Sequence, residues 1–335
     1  MARAINKGPK PSGGYAKVSS KSLKEAKEKS ARRLEPRPEP RALGKAGRAP
    51  LRQASVYADG ASTLQAALLH AQKHGMAKLD ARMLLLHTLG KDPLDAAWLI
   101  AHEQDVLATT KAADYGAACA RRRAGEPVAY IVGFKEFYGL RLATDARVLD
   151  PRDDTETLVD WALELPGGKL LDLGTGSGAI ALAIKSKRPE WQVFASDASE
   201  GALAVATGNA ARLGLTVEFR LGDWLAPFAG ETFDLIASNP PYIAEGDPHM
   251  AALAHEPRGA LTSGPDGFED IRRILAAAPA HLNAGGWLLL EHGHDQAEAV
   301  RALLAQSGFT EVVSRRDLAG IERCSGGKKA PDGNG

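Results

Sequence analysis

The stretch best equipped to do chemistry is Asn239-Pro240-Pro241-Tyr242, which closes the apolar run FDLIAS. Each proline fixes φ at about −65°, and a residue ahead of a proline avoids the helical region, so this loop is stiff. A stiff loop can hold the Asn239 side-chain oxygen and the Pro240 carbonyl as two fixed hydrogen-bond acceptors. Two acceptors match the two hydrogens of an NH2 group, and Tyr242 can lie against the flat face of the amide or base that carries it. An amide nitrogen is a poor nucleophile because its lone pair is delocalised into the carbonyl. Gripping both hydrogens out of plane favours a more tetrahedral nitrogen, and fixed carbonyl dipoles stabilise the positive charge that develops as it attacks. No strong general base is needed, and no histidine is assigned that role. A rigid structural turn is the plain alternative.

A second group lies upstream. An apolar strand over residues 170–173 runs into Gly174, Thr175, Gly176, Ser177 and Gly178, and a helix follows. Glycines suit a sharp turn that a ligand must approach as bare backbone. The amides opening the helix can face the carboxylate of an amino-acid moiety. Alone this is weak: with Ala179 the run also satisfies a dinucleotide pattern, and a plain tight turn would look the same. Asp197 ends the next strand about 20 residues on, where an acid commonly holds ribose hydroxyls. Asp223-Trp224 follow the third strand; the carboxylate can accept from an adenine amine while the indole offers a face. A loop acid beside a packed tryptophan is the bland reading. Together these elements stand at the carboxyl ends of successive strands, where open α/β sheets bind ligands.

The elements that must position them follow an α/β plan. Strands are expected at 170–173, 192–196, 217–221, 233–238, 286–291 and 310–315, with helices at 178–187, 200–213, 267–281 and 296–307. Such alternation implies an open, mostly parallel sheet with helices on both faces, here over residues 150–327. Residues 56–126 read as a small helical domain, a substrate-docking module or a structural cap. Its first helix opens at Leu64 behind Ser62 and Thr63, and its second spans 77–89. The third is expected from Asp92 as cap with Pro93 in the first turn, and the fourth spans 106–123. Residues 127–149, β-branched and aromatic with turn glycines Gly133 and Gly139, read as a β-hairpin linker. Residues 328–335 read as a flexible tail. Residues 1–55 hold few large apolar side chains and a Pro-Glu-Arg tract, so they are expected to be a disordered basic extension.

With 335 residues, 44% hydrophobic and 25% charged, the chain has the composition of a soluble protein of about two domains. No run of ~18 apolar residues predicts a membrane span, and no apolar stretch follows the charged start to make a secretory signal. Two cysteines, Cys119 and Cys324, offer neither a disulfide framework nor a metal cluster, which suits a reducing cytoplasm. No metal is expected: His292 and His294 stand at strand spacing without a ligand set, and His249 and His255 fare no better. Glu291 ends a strand at the ligand edge, where it either orders the site or sits at the surface. The net charge of +1 hides an asymmetry, since residues 1–52 carry about +11 and the rest about −10. The basic arm reads as a solubilising tail or as a weak electrostatic grip on RNA or ribosomes.

On these residues the chain resembles the HemK-type protein-(glutamine-N5) methyltransferases, class I S-adenosylmethionine-dependent enzymes that act on peptide chain release factors. The likeness covers roughly residues 61–327 through RRRAGEPVAYIVGFKEFYGL, PRDDTETLV, LLDLGTGSGAIALAI, SNPPYI and GGWLLLEHG. It implies a helical N-terminal domain, a hairpin linker and a Rossmann-like methyltransferase domain. It further implies that Gly174, Thr175, Gly176, Ser177, Gly178, Asp197, Trp224 and Asn239 bind S-adenosylmethionine. Asn239, Pro240, Pro241 and Tyr242 would receive the glutamine of a release factor Gly-Gly-Gln motif. One segment departs: the family usually reads Ile-Pro-Arg-Pro-Asp-Thr-Glu, whereas here Asp150-Pro151-Arg152-Asp153-Asp154-Thr155-Glu156 loses the second proline and gains two carboxylates. A ribosomal-protein glutamine methyltransferase is a rival, but such relatives tend to carry Pro-Arg-Ser-Pro, against Asp154-Thr155-Glu156 here. An adenine-N6 methyltransferase of DNA or RNA shares the tetrapeptide but is disfavoured by the acidic body. A non-catalytic cofactor-binding protein is disfavoured by the intact glycines and tetrapeptide.

Overall fold

The computed structural model of the chain describes residues 62–331, so the expectations for residues 1–61 and 332–335 lie outside the described residues. The first layer is helical: α1 (Leu64–Lys73), α2 (Lys78–Thr88), α3 (Ala96–Ala101), α4 (Thr109–Arg123) and α5 (Val128–Val132). They bury Leu64, Leu84, Leu85, Leu86, Leu99 and Tyr115 in one cluster. Thr63 caps α1 by accepting the Ala66 amide at 3.2 Å. Two helix starts differ from expectation. Asp92 spends its carboxylate on the Leu94 amide and on Arg141, so α3 waits for Asp95, whose side chain accepts the Trp98 amide at 2.9 Å. Val106 bridges Thr63 as an isolated strand pair, which delays α4 to Thr109.

The linker is also corrected. Residues 128–132, expected as strand from their β-branched content, form α5 between Pro127 and a left-handed Gly133 at φ 87°. Burying Ile131 and Val132 in the helical cluster outweighs their local propensity. The hairpin proper is shorter, β1 (Phe134–Phe137) against β2 (Leu140–Ala143), closed through Tyr138 at φ 52° and Gly139 at φ 76°. Positive φ at both turn residues matches the twist of the flanking strands.

The catalytic layer carries α6 (Glu156–Glu164), β3 (Lys169–Leu173), α7 (Ala179–Lys187), β4 (Gln192–Asp197), α8 (Glu200–Leu213) and β5 (Glu218–Leu221). It continues with β6 (Phe233–Ser238), α9 (Glu269–His281), β7 (Leu282–Glu291), α10 (Ala297–Gln306), β8 (Phe309–Arg316) and β9 (Glu322–Lys329). The seven strands are ordered β5-β4-β3-β6-β7-β9-β8. All neighbours run parallel except β9, which is antiparallel to both β7 and β8. Side chains alternate across the sheet as strand geometry demands. Leu170, Leu235 and Leu289 pack under α6 and α7, whereas Leu171, Ile236, Leu288 and Leu290 pack against α9 and α10.

Helix α6 and strand β9 are not expected from the sequence reading. ERCSGGKK lacks the alternation and β-branching of a strand, and it ends two residues past the anticipated domain limit at Gly327. Its glycines are needed for packing. A Cβ on Gly326 would lie 2.6 Å from Leu289 Cδ2, 2.7 Å from the Leu288 carbonyl and 2.8 Å from Trp161 Cη2. Gly326→Ala is therefore expected to cost about 1–3 kcal/mol through overpacking, measurable as a lowered urea midpoint.

Beneath the glycine turn, fully buried Asp172 on β3 accepts from the Thr175 hydroxyl at 2.6 Å and the Ala181 amide at 3.1 Å. It thereby staples strand, turn and helix together. Burial pushes its pKa up to about 7, with those two bonds pulling the other way. A carboxyl raised in the folded state favours folding while protonated, and that advantage is lost as pH rises through the folded value. Asp172→Asn is expected to show a stability relative to wild type that climbs between about pH 4 and about pH 7 and then levels. Thermal unfolding across that window reads it; a flat difference refutes the burial argument.

Candidate active site

Strand order reverses at β3, since the chain moves outward to β4 and β5 and then returns to β3's other side with β6. The crevice at such a reversal lies at the strands' carboxyl ends. There a cavity of about 410 Å³ is lined by Gly174, Gly176, Asp197, Asp223, Trp224, Asn239 and Pro241. The turn is built for close approach. Gly174 has φ 68°, and a Cβ on it would stand 3.1 Å from Trp224 Cζ3, filling the cradle. Asp197 accepts the Gly176 amide at 2.9 Å and the Ser199 amide at 2.9 Å, which leaves lone pairs for hydroxyl donors. Burial raises its pKa, and the two amides counter that rise. Thr175 and Ser177 are buried and do not line this cavity: Thr175 bonds to Asp172, and the Ser177 carbonyl takes Asn209 Nδ2 at 2.8 Å. Gly178 is the left-handed residue opening α7, where a Cβ would meet Leu182 Cδ1 at 2.9 Å.

The adenine-side pair has neighbours that no motif revealed. Trp224 Nε1 donates to Asp270 at 3.3 Å, and Arg273 pairs with both Asp270 and Asp223. The half-exposed Asp223 carboxylate thus already shares its charge with a guanidinium from α9, and an amine reaching it would meet a partly satisfied acceptor.

A second cavity of about 700 Å³ opens between the helical layer and the sheet. Leu79, Met83 and Leu94 give it an apolar wall, Phe134 and Lys135 come from the hairpin, and Tyr242 and Asn239 form its inner end. Asn239 lines both cavities. Its loop is anchored from behind: Ser238 Oγ donates to the Leu173 carbonyl at 2.8 Å, and the Tyr242 carbonyl accepts Gln296 Nε2 at 3.0 Å. Pro240 and Pro241 are buried, and among the described residues no hydrogen bond is made to the Pro240 carbonyl. Burial, and after it the charge of Glu291, push the Tyr242 pKa up to about 12, so the phenol stays protonated.

The departing segment at residues 150–156 packs behind this end. Arg152 pairs with the buried Glu256 at 2.5 Å, Glu256 also takes the Asp150 amide at 3.3 Å, and Asp153 reaches Lys135 of β1 at 2.8 Å. The carboxylate that replaces a proline therefore ties the segment to the hairpin by an ion pair. Thr155, 4% exposed, accepts Asn239 Nδ2 at 3.2 Å. Glu291, expected either to order the site or to lie at the surface, is 1% exposed at the end of β7. Burial pushes its pKa up to about 7, with the nearby Thr155, Asn239 and Arg323 pulling the other way, and its Oε2 is buried without a hydrogen-bond partner. Glu256, Asp270 and Arg273 carry no motif that would have flagged them, whereas Thr155 lies in the PRDDTETLV stretch, which by itself gave it no role. Glu291 follows three leucines of a buried strand, and that run was a signal of its burial.

Among the described residues no group of three or more His, Cys, Asp or Glu side chains is placed to hold a metal ion, and no helix is long and apolar enough to cross a membrane. His292 is buried with its ring nitrogens on Ser325 Oγ and the Gly293 carbonyl.

Comparison with known proteins agrees with this geometry. The PrmC N-terminal domain model matches residues 61–133, and the Methyltransferase small domain model matches residues 153–265. The chain is 51% identical over 260 residues to the release factor glutamine methyltransferase of Bordetella pertussis, spanning 76% of this chain and 95% of that one. It is 49% identical over 263 residues to the protein of that name from Burkholderia pseudomallei (75% and 91% covered). Against the one from Xylella fastidiosa it is 46% identical over 269 residues (78% and 97% covered). With a shared cavity at Asn239 and this identity along nearly the whole length of those relatives, the chain belongs to the release factor glutamine methyltransferase family.

Proposed function

We propose that this enzyme methylates the side-chain amide nitrogen, N5, of the glutamine in the Gly-Gly-Gln motif of peptide chain release factors, using S-adenosylmethionine. The observation that carries this reading is that Asn239 lines both the cavity under the glycine turn and the cleft facing the helical layer. A group held in one space meets a group held in the other at that side chain.

When bound, S-adenosylmethionine supplies a methyl group on an electrophilic sulfonium. Gly174 and Gly176 would hold it through backbone, with Thr175, Ser177 and Gly178 shaping the turn from behind, Asp197 through ribose hydroxyls, and Trp224 with Asp223 at the adenine. Asn239 Oδ1 and the Pro240 carbonyl accept the two hydrogens of the glutamine amide. Pro241 keeps the loop from relaxing, and Tyr242 covers the amide plane as a neutral phenol. Pinning both N–H bonds localises the nitrogen lone pair, and the same two oxygens stabilise the charge that builds on nitrogen. Placing both reactants at one side chain adds a proximity contribution of up to about 7–11 kcal/mol. The methylated nitrogen releases its extra proton to solvent, so no histidine base is required.

The helical domain, residues 56–126, is read as the docking module, with its apolar wall at Leu79, Met83 and Leu94 turned to the cleft. The basic arm, residues 1–52, is read as a weak grip on RNA or ribosomes, and the cytoplasm is the compartment that suits a translation substrate.

A labelled-methyl assay offering release factor, ribosomal protein and DNA side by side should label the release factor alone, and replacing its Gly-Gly-Gln glutamine should erase the signal. In that assay Asn239→Ala is expected to lose about 10²–10³-fold in turnover while cofactor affinity changes far less. Wild-type activity in this variant would refute the role given to Asn239. Deleting residues 1–52 should abolish a steeply salt-dependent affinity for ribosomal RNA; undiminished binding would remove the arm's proposed part.

A further inference from the structure

Resting on the glutamine reading above, we propose that Asp150 is a substrate-binding residue whose carboxyl accepts a main-chain N–H from one of the two glycines beside the target glutamine. Asp150 opens the departing segment and lines the cleft of about 700 Å³ together with Asn239 and Tyr242.

The other charged side chains lining that cleft are accounted for. Arg122 pairs with Asp80 at 2.7 Å, Lys135 with Asp153 at 2.8 Å and Arg152 with Glu256 at 2.5 Å, while Glu136 is exposed. The neighbouring Tyr130 hydroxyl donates to the Val148 carbonyl. Asp150 is the acid left over. Its side chain is only 14% exposed, yet among the described residues neither of its oxygens takes a hydrogen bond. Oδ1 is buried without a partner, and Oδ2 stands 3.7 Å from Arg152 Nη1, beyond hydrogen-bond reach. The backbone beneath is held, because the Asp150 amide donates to Glu256 at 3.3 Å and Pro151 restricts the residue before it. A buried carboxyl with open lone pairs destabilises the free enzyme and calls for a partner. In either protonation state it keeps an oxygen that can accept. Aspartate χ2 is a broad two-fold torsion, so a donor entering the cleft can draw either oxygen round to meet it.

The motif sets the chemistry of that donor. Glycine has no side chain, so the polar groups that Gly-Gly-Gln brings beside its glutamine are main-chain amides and carbonyls, and a carboxyl matches the amides. The glutamine side chain is then received at Asn239 while Asp150 holds the backbone that carries it.

Steady-state methylation of release factor by the full-length enzyme reads this contact. Asp150→Leu should raise KM for release factor roughly tenfold and leave kcat within about twofold, because the contact is made equally before and during methyl transfer. The same variant should keep or raise the urea midpoint, since it removes a buried acceptor that has no partner, and should hold S-adenosylhomocysteine affinity within about threefold. Asp150→Asn, which retains an acceptor oxygen, should keep KM within about threefold of wild type. Semisynthetic release factor with N-methylglycine at either motif glycine lacks one donor. At one of the two positions it should raise the wild-type KM roughly tenfold and leave that of Asp150→Leu unchanged. An unaltered KM in Asp150→Leu, a rise accompanied by a lowered urea midpoint, or N-methylglycine effects that add to the variant's at both positions overturns the assignment. Failure of the wild type to label release factor would instead overturn the glutamine reading itself.

Discussion

The reversal of strand order between β3 and β6 is the constraint on which the site depends. Two parallel neighbours whose following segments leave in opposite directions cannot close over their own carboxyl ends, and a crevice is left there. The hydrogen bond from Ser238 to the Leu173 carbonyl locks those two ends at the point of divergence. The glycine turn, Asp197, Trp224, the Asn239 loop and Glu291 then arrive at one edge because each follows, or ends, a strand of the same parallel set.

Carboxylates are concentrated around that edge. Asp172 staples the glycine turn, Asp197 orders it from β4, Glu256 holds Arg152, and Glu291 stands behind Asn239. Burying four acids is costly unless each is hydrogen-bonded or paired. Asp172, Asp197 and Glu256 each have at least one such partner here, Glu291 Oε2 is buried without one, and for Asp172, Asp197 and Glu291 the cost appears as a raised pKa.

The segment 150–156 shows how one substitution is absorbed. A proline would stiffen it by fixing φ; here Asp153 reaches Lys135 on the hairpin, and Arg152 is clamped by Glu256. Thr155 is buried against Asn239, and Arg152 on the buried Glu256 holds the segment more firmly than the largely exposed Asp153–Lys135 pair does.

The sequence by itself determined the sheet class, the strand and helix order from residue 169 to residue 316, and the catalytic tetrapeptide with its glycine turn. Periodicity and turn chemistry are local, and an alternating α/β chain has few ways to stack. It did not reveal β9, whose glycines look like a tail until Trp161 and Leu289 are seen filling the space their missing side chains leave. Nor did it reveal α5, where burial of Ile131 and Val132 overrides β-branched propensity. At the site, the residues that bear the chemistry were legible because prolines and glycines mark unusual backbone. Their supporters, Thr155, Glu256, Arg273 and Glu291, come from distant parts of the chain. Only the parallel register of β6 and β7 and the packing of residues 150–156 beneath them bring those side chains together, and no local pattern encodes that meeting.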